Sequence, residues 1–471
     1  MPVEIDLLSI DRGSVTAPAG CGKTQLIADN LALHDGLKPI LILTHTNSGA
    51  AALRQRLHRA RVRSSSYRVA TIDGFAMRLI GKFPLRSGLD PQILMVENPG
   101  HDYPAIRAAA ARLLQSRHIG EPLRATYSRL FVDEYQDCSL VQHAIVDALS
   151  CELRTAVLGD PLQAIFGFAG PLVDWVTHVE TRFPPLGALD TPWRWLNAGT
   201  GPLGHWLLDA REALQRRRSL DLRTAPPHVQ WIHLDSATED QQRREAARTR
   251  VTGDEQTVLI IGHSRNATSR HLLSIQTPGA TSVERVDLDD LVSFVQGFQF
   301  GADDAMEQLV NFSGKVITQV SAAALIARVE TIRRGRVRNP PTPAEAAAVA
   351  FSQNPNCVTA VQLLTVLEGQ ANARVFRPEV LRCLKSALTV AAATATPLHD
   401  AVIRMRERNR HMGRAVSRRA VGSTLLLKGL EADVAVITHA ETMNAPNLYV
   451  AITRGARRLI VCSREPLLTP V

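Results

Sequence analysis

Two stretches of this sequence combine residue types at a spacing suited to handling a phosphate chain. Ala17-Pro-Ala-Gly-Cys-Gly-Lys-Thr24 follows the apolar, strand-like run Ser14–Ala17 and precedes a helical run that starts at Gln25. Gly20 and Gly22 permit the turns that let successive backbone N–H groups curl around an anion. Lys23 supplies a point charge for the β- and γ-phosphates, and Thr24 offers a hydroxyl to Mg2+. The N-terminus of the following helix adds its partial positive charge. The segment is a Walker A loop with Ala17 in place of the first glycine.

The second stretch, Arg129-Leu-Phe-Val-Asp-Glu-Tyr-Gln-Asp137, is an apolar strand that ends in two carboxylates. At the carboxyl edge of a parallel strand, Asp133 is placed to hold Mg2+ through water, and Glu134 to take a proton from an attacking water. Taken alone, this pattern also describes a solvated acidic turn. Beside the phosphate loop it reads as a hydrolytic pair.

Such groups need a parallel sheet to hold them, and the apolar runs supply one. Ser14–Ala17, Ile40–Thr44, Leu130–Asp133 and Ala156–Gly159 form one set of expected strands. Val229–Leu234, Val258–Gly262, Val434–Thr438 and Leu459–Cys462 form a second. Short buried strands separated by helical stretches imply α/β domains with parallel sheets and crossover helices. The expected division is a first domain over residues 1–186 and a second over 187–471, with a hinge at Phe183-Pro-Pro-Leu-Gly187. Helical insertions are expected at about 91–127 in the first domain and about 279–421 in the second.

Composition narrows the class further. The 471 residues are 45% hydrophobic and 21% charged, ordinary for a globular chain with more than one domain. The N-terminal segment lacks the basic-then-apolar layout of a signal peptide, and no apolar run is long enough for a membrane helix. The six cysteines form no CxxC pair, which argues against zinc and iron–sulfur sites and for free thiols in a cytoplasmic setting. A net charge of +9 favours polyanionic partners. Arg54–Arg63 and Arg404–Arg419 are basic clusters that suit either phosphate tracking or a solvated helix face.

Further segments, in order, resemble the motifs of the UvrD/Rep/PcrA group of superfamily 1 helicases. They are Leu43–Leu53, Thr71-Ile-Asp-Gly-Phe75, Asp133-Glu-Tyr-Gln-Asp137, Gly159–Phe168, Thr191-Pro-Trp-Arg194, Leu259–Arg270, Ser423–Glu431 and Asn447–Arg454. The resemblance implies two RecA-like P-loop NTPase domains, ATP and Mg2+ as cofactors, and DNA as partner, single-stranded or at a single/double-strand junction. It implies Lys23, Asp133, Glu134, Gln163, Arg194 and Arg454 as catalytic, and Thr24 and Asp133 as Mg2+ ligands. ATP binding would involve Ala17, Pro18, Ala19, Gly20, Cys21, Gly22, Lys23, Thr24, Trp193, Gly429 and Glu431. Gln163 would sense the γ-phosphate, Arg194 and Arg454 would act as arginine fingers, and Trp193 would stack on the adenine. The nucleic acid would meet Thr44, Thr46, Asn47, Thr71, Phe75, Phe166 and Phe168. Read alone, the pair Phe166 and Phe168 equally suits one buried and one half-exposed core residue.

Departures from the family pattern cluster. No Gln precedes the phosphate loop; His45 stands where relatives usually have Phe, Asp73 where they have His, Ala169 where they have Arg, and Leu425 where His is common. Four of these five fall on the side expected to face the strand. An Asp beside a phosphate backbone is repelled, so Asp73 is expected to hydrogen-bond a base or a backbone amide instead. Two functions stay open: a 3′–5′ translocase and helicase, or a DNA-binding ATPase that regulates a separate nuclease. In size the chain is similar to the short anti-phage members of the Gabija helicase-subunit type. A P-loop kinase or GTPase would leave the later motifs unexplained.

Overall fold

The computed structural model describes residues 5–167, 170–335, 339–411 and 417–470. The chain divides into two compact units, Met1–Leu234 with Lys428–Val471, and Asp235–Leu427. Its strands build two six-stranded parallel sheets, and a two-stranded ribbon pairs Leu220–Asp221 with Leu467–Leu468.

The first sheet lies wholly in the first unit. Its strands are β1 (Arg12–Thr16), β2 (Ile40–Thr44), β3 (Tyr67–Thr71), β4 (Arg129–Val132), β5 (Arg154–Gly159) and β6 (Pro185–Ala188). They lie in the order β3-β2-β4-β5-β1-β6, every neighbour parallel. Successive side chains of a strand point to opposite faces, and here both faces are buried. Leu41, Leu43, Leu130, Val132 and Val157 enter one core with the helices on that side. Ile40, Ile42, Phe131, Ala156 and Leu158 enter the other, against α1 (Lys23–Leu33) and α2 (Asn47–Arg59). That is why these strands read as continuous apolar runs rather than alternating ones.

Phe183–Gly187, expected as a hinge, mostly forms β6 at the edge of this sheet. An edge strand accepts proline because the missing N–H need not serve a neighbour. The expected insertion near 91–127 is a turn at Pro91–Met95 and helices Pro99–Gln115 and Gly120–Thr126.

The first unit also contains three strands of the second sheet, Val229–His233, Ala432–Ile437 and Gly455–Ser463, with the last paired parallel to each of the others. In the second unit Val258–Ile261, Arg419–Gly422 and Ala280–Ser282 pair in parallel. Between the last two strands in sequence run, among the described residues, seven helices, from Asp289–Gly297 to Leu398–His411, around an apolar core of their own. Phe294 and Phe312 stack there with centroids 4.2 Å apart. Beside this core, Arg377 donates two hydrogen bonds to Glu284, at 2.9 and 2.8 Å, and pairs with Asp290 at 2.9 Å. Among the described residues no helix is long and apolar enough to cross a membrane.

Candidate active site

The carboxyl ends of β1, β2, β4 and β5 are in register, Thr16 beside Gly159 and Leu43 beside Val132. Loops leaving these ends therefore gather at one edge of the sheet, where α/β folds place ligands. The loop after β1 is tied back at once, since Ala17 N–H donates to the Gly159 carbonyl at 2.8 Å. Gly20 and Gly22 take φ of +73° and +89°, left-handed values open to glycine without a Cβ penalty. Space enforces the same choice: a Cβ at Gly20 would stand 2.5 Å from the Trp195 ring, and one at Gly22 would stand 3.1 Å from Trp193. Cys21 between them is buried, its Sγ 3.7 Å from the Ala19 carbonyl, and burial pushes its thiol up to about 12.

Lys23 begins α1, with Thr24 next to it. Its ammonium lies 2.9 Å from Asp133 Oδ1 and also donates to Glu134 Oε1. Burial works against this charge, but the two carboxylates raise the lysine pKa above its ordinary value. Burial likewise pushes Asp133 upward. Glu134 is different: against the cost of burial, Lys23, Lys428 and Gln136 hold it at about 2. Glu134 is therefore ionised at neutral pH. Its backbone sits at φ +57°, a strained position for a non-glycine residue and of the kind found at functional sites.

A hydrogen-bonded chain extends from Glu134. Gln136 donates to Glu134 Oε2 at 2.6 Å, while its own Oε1 accepts from Asp160 N–H at 3.1 Å. Gln163 donates to Asp160 Oδ2 at 3.1 Å, and Arg211 holds Asp160 Oδ1 at 2.8 Å. Gly159 makes room for this chain, because a Cβ there would meet Gln136 Oε1 at 2.5 Å.

Residues from the far end of the chain close the other side. The Tyr449 hydroxyl accepts from Ala19 N–H, in the phosphate loop, at 3.2 Å. Arg194 N–H donates to the Gly20 carbonyl at 3.1 Å, and the Arg194 guanidinium donates to the Thr453 carbonyl at 2.6 Å and to Glu431. Arg454, 3% exposed, donates to the Val450 carbonyl at 2.8 Å and the Leu430 carbonyl at 3.2 Å. Burial and then Arg194 push its pKa down to about 10, while Glu431 and Glu134 act the other way. It remains a cation at neutral pH. Trp193 is 41% exposed beside Gly22, and Gly429 has φ +80°. Lys23, Glu134, Arg194, Glu431 and Arg454 therefore surround one loop within a single compact unit.

The residues expected on the nucleic-acid side divide. Thr46 caps α2 by accepting from Gly49 N–H at 3.0 Å, with Asn47 the next residue. Thr71 caps the helix Ile72–Lys82 through Gly74 N–H at 2.9 Å. Thr44 is fully buried, and its Oγ1 is without a hydrogen-bond partner among the described residues. Phe75 is 1% exposed, packed edge-on against Tyr127 in the core with no ring face open to a base. Its position in the first turn of that amphipathic helix points it inward with Ala76 and Leu79. Phe166 is half-buried, 4.8 Å from the His45 ring and 5.2 Å from the Lys428 ammonium. Phe168 and Ala169 lie outside the described residues, as does part of Arg404–Arg419.

Among the described residues Asp73 is bonded by side chains and not by a backbone amide. It takes two hydrogen bonds from Arg107, at 2.7 and 2.6 Å, and one from Gln142 at 3.0 Å. A like-charge conflict with phosphate is thus replaced by an internal ion pair. Burial keeps the neighbouring His45 neutral, its pKa down at about 4. Sequence reasoning misses Gln136, Arg211, Lys428 and Tyr449 as site residues, although Gln136, Lys428 and Tyr449 stand inside recognised motifs.

Phosphate loop, buried lysine and acidic strand end, set at the carboxyl edge of a parallel sheet, define a P-loop nucleotide-binding protein. Residues 11–101 and 92–184 match the family model described as UvrD/REP helicase N-terminal domain. Over those residues the chain is similar to the UvrD/REP helicase N-terminal domain, and its two parallel sheets agree with two RecA-like domains. It is 35% identical over 71 residues to the RecBCD enzyme subunit RecB of Buchnera aphidicola subsp. Acyrthosiphon pisum (strain APS), covering 14% of this chain and 6% of that protein. It is 34% identical over 67 residues to one subunit of the ATP-dependent helicase/nuclease of Syntrophomonas wolfei subsp. wolfei (strain DSM 2245B / Goettingen), covering 14% and 5%. The chain thus spans only a small part of the curated relatives it matches. Among solved structures, the Pif1 helicase of Candida albicans aligns over 99% of this chain and 94% of its own, at 10% identity and a TM-score of 0.42.

Proposed function

We propose that this chain is a DNA-stimulated ATPase that moves 3′ to 5′ along single strands and separates duplexes, with residues 1–186 and 187–471 as its RecA-like domains. One observation carries the reading: Lys23, Glu134, Arg194 and Arg454 lie around one phosphate loop, although they are far apart in sequence. The loop fits a nucleotide, because the left-handed backbone at Gly20 and Gly22 is the conformation that lets successive N–H groups curl around an anion. Thr24 and Asp133 would hold Mg2+, which when bound neutralises charge on the phosphates. Lys23 would turn from the carboxylates to the β- and γ-phosphates. Glu134, already ionised, would accept the proton of the attacking water. Arg194 and Arg454 would stabilise charge on the transferring phosphoryl group, a contribution of about 10³–10⁵ in rate for arginine fingers. Trp193, exposed beside the loop, would stack on the base, and Gln163 would sense the γ-phosphate.

The test is ATP turnover by the pure protein with and without single-stranded DNA, duplex DNA and RNA. Stimulation by single-stranded DNA, abolished in Lys23→Ala, supports the reading. A Lys23→Ala protein that hydrolyses ATP at the wild-type rate refutes it.

The Asp73–Arg107 pair favours a second reading. Arg107 is engaged by Asp73, not held ready for a phosphate, and Phe75 is in the core. Fewer strand contacts suit an ATPase that binds DNA and switches a separate nuclease, as in anti-phage systems, with little unwinding of its own. Robust strand displacement by the isolated chain rejects this alternative.

A further inference from the structure

Lys428 has no part in the chemistry proposed above, yet its side chain is 8% exposed and its ammonium touches three functional segments. It donates to Asp137 Oδ2, in the turn that follows Glu134, and to the backbone carbonyl of Gln163. It also lies 5.2 Å from the centre of the Phe166 ring, which packs against the His45 ring with centres 4.8 Å apart. A buried ammonium is tolerated only where its donors are satisfied, so its position is set jointly by these three groups.

The geometry points to Lys428 as a positioning residue that couples strand occupancy at Phe166 to the hydrolytic carboxylate. This rests on the proposed motor function. A base stacking on Phe166 would shift the ring and with it the cation–π contact. The ammonium is bonded to Asp137 and to the Gln163 carbonyl, so it carries that shift into both segments. Asp137 N–H donates to the Glu134 carbonyl at 3.1 Å. Gln163 is linked through Asp160 and Gln136 to Glu134 Oε2 by hydrogen bonds of 3.1, 3.1 and 2.6 Å. Two routes thus lead from one ammonium to the same glutamate. The second oxygen of Asp137, Oδ1, is buried without a hydrogen-bond partner among the described residues. The carboxylate is therefore held from one side, by Lys428, and follows it.

The experiment compares ATP turnover with and without a saturating single-stranded oligonucleotide in wild type, Lys428→Met and Lys428→Met/Asp137→Asn. Oligonucleotide affinity is measured in parallel by fluorescence anisotropy. The expected result is a stimulation ratio reduced by about tenfold or more in both variants, with affinity kept within about threefold. The double variant removes the unpaired buried carboxylate, so a Lys428→Met protein that fails to fold does not decide the matter. A double variant with the wild-type ratio overturns the inference, because Lys428 then only neutralises Asp137. Equal loss of basal and stimulated rates overturns it too, as that marks general damage. If wild type itself responds to no nucleic acid, the motor reading has failed rather than the coupling.

Discussion

Gly20→Ala probes the cleft with a single methyl group. The new Cβ would stand 2.5 and 2.9 Å from two Trp195 ring atoms and 3.1 Å from Arg194 Cβ. The left-handed backbone at φ +73° costs an alanine about 1–2 kcal/mol, and overpacking adds about 1–3 kcal/mol. Trp195 cannot swing away, being 1% exposed with its Nε1 donating to the Gly455 carbonyl at 2.9 Å. The loop must give instead, and with it Arg194, whose N–H is bonded to the Gly20 carbonyl at 3.1 Å. Displacement of a transition-state group by about 1 Å costs roughly 10² in rate. Gly22→Ala is the internal control. It carries a similar backbone cost at φ +89°, but its Cβ meets the 41% exposed Trp193 at 3.1 Å, a ring that can yield. Gly20→Ala should therefore lose about 1–3 kcal/mol more stability than Gly22→Ala, read as the larger fall in Tm by differential scanning fluorimetry. It should also lose about 10² in kcat/KM for ATP by coupled assay. Equal Tm values for the two variants, or wild-type turnover in Gly20→Ala, would refute this account of the loop.

Four further outcomes follow from other contacts. Arg377→Met strands Glu284 as a buried charge and should cost about 3–5 kcal/mol in urea unfolding, much of it recovered in Arg377→Met/Glu284→Gln. Burial opposes ionisation of Glu284, but hydrogen bonds from His271 and Arg377 hold its pKa at about 2, below the usual 4.5. Its contribution is therefore complete above about pH 4.5 and lost as pH falls toward 2. An unfolding free energy flat across that window would count against the pair. Phe75→Ala should remove about 3–5 kcal/mol of stability as a core truncation, and a loss confined to oligonucleotide affinity would return Phe75 to the strand surface. Asp73→Asn should release Arg107 for a phosphate, steepening the log–log salt dependence of DNA binding by roughly 1; an unchanged slope would show that Arg107 does not reach the strand.

The sequence was most readable where local chemistry and fold coincide. β1, β2, β4 and β5 are buried on both faces, so their apolar runs announce them, and the phosphate loop and acidic strand end mark the edge where they stop. β3 and β6 were not legible because edge strands need neither property. In β3 Ala70 is the one fully covered position, and β6 is Pro-Leu-Gly-Ala. The short strands Ala280–Ser282 and Arg419–Gly422 carry too few apolar residues to stand out from the helices between them. In the site, Lys23 and Asp133 follow from motif chemistry. Tyr449 on Ala19 and Arg211 on Asp160 are contacts between distant segments, and no local pattern encodes them. Asp73 looked like an obstacle to a phosphate backbone because its partner, Arg107, lies in a helix with no motif of its own.

The cysteine inside the phosphate loop has a practical consequence. At neutral pH the Cys21 sulfur stays protonated and covered, and a thiol in that state reacts slowly with maleimides. Cys151 is exposed at the end of the helix Leu140–Ser150. A fluorophore can therefore be coupled to the unmodified chain at Cys151, leaving the nucleotide cradle chemically untouched, so that single-molecule tracking needs no engineered attachment point.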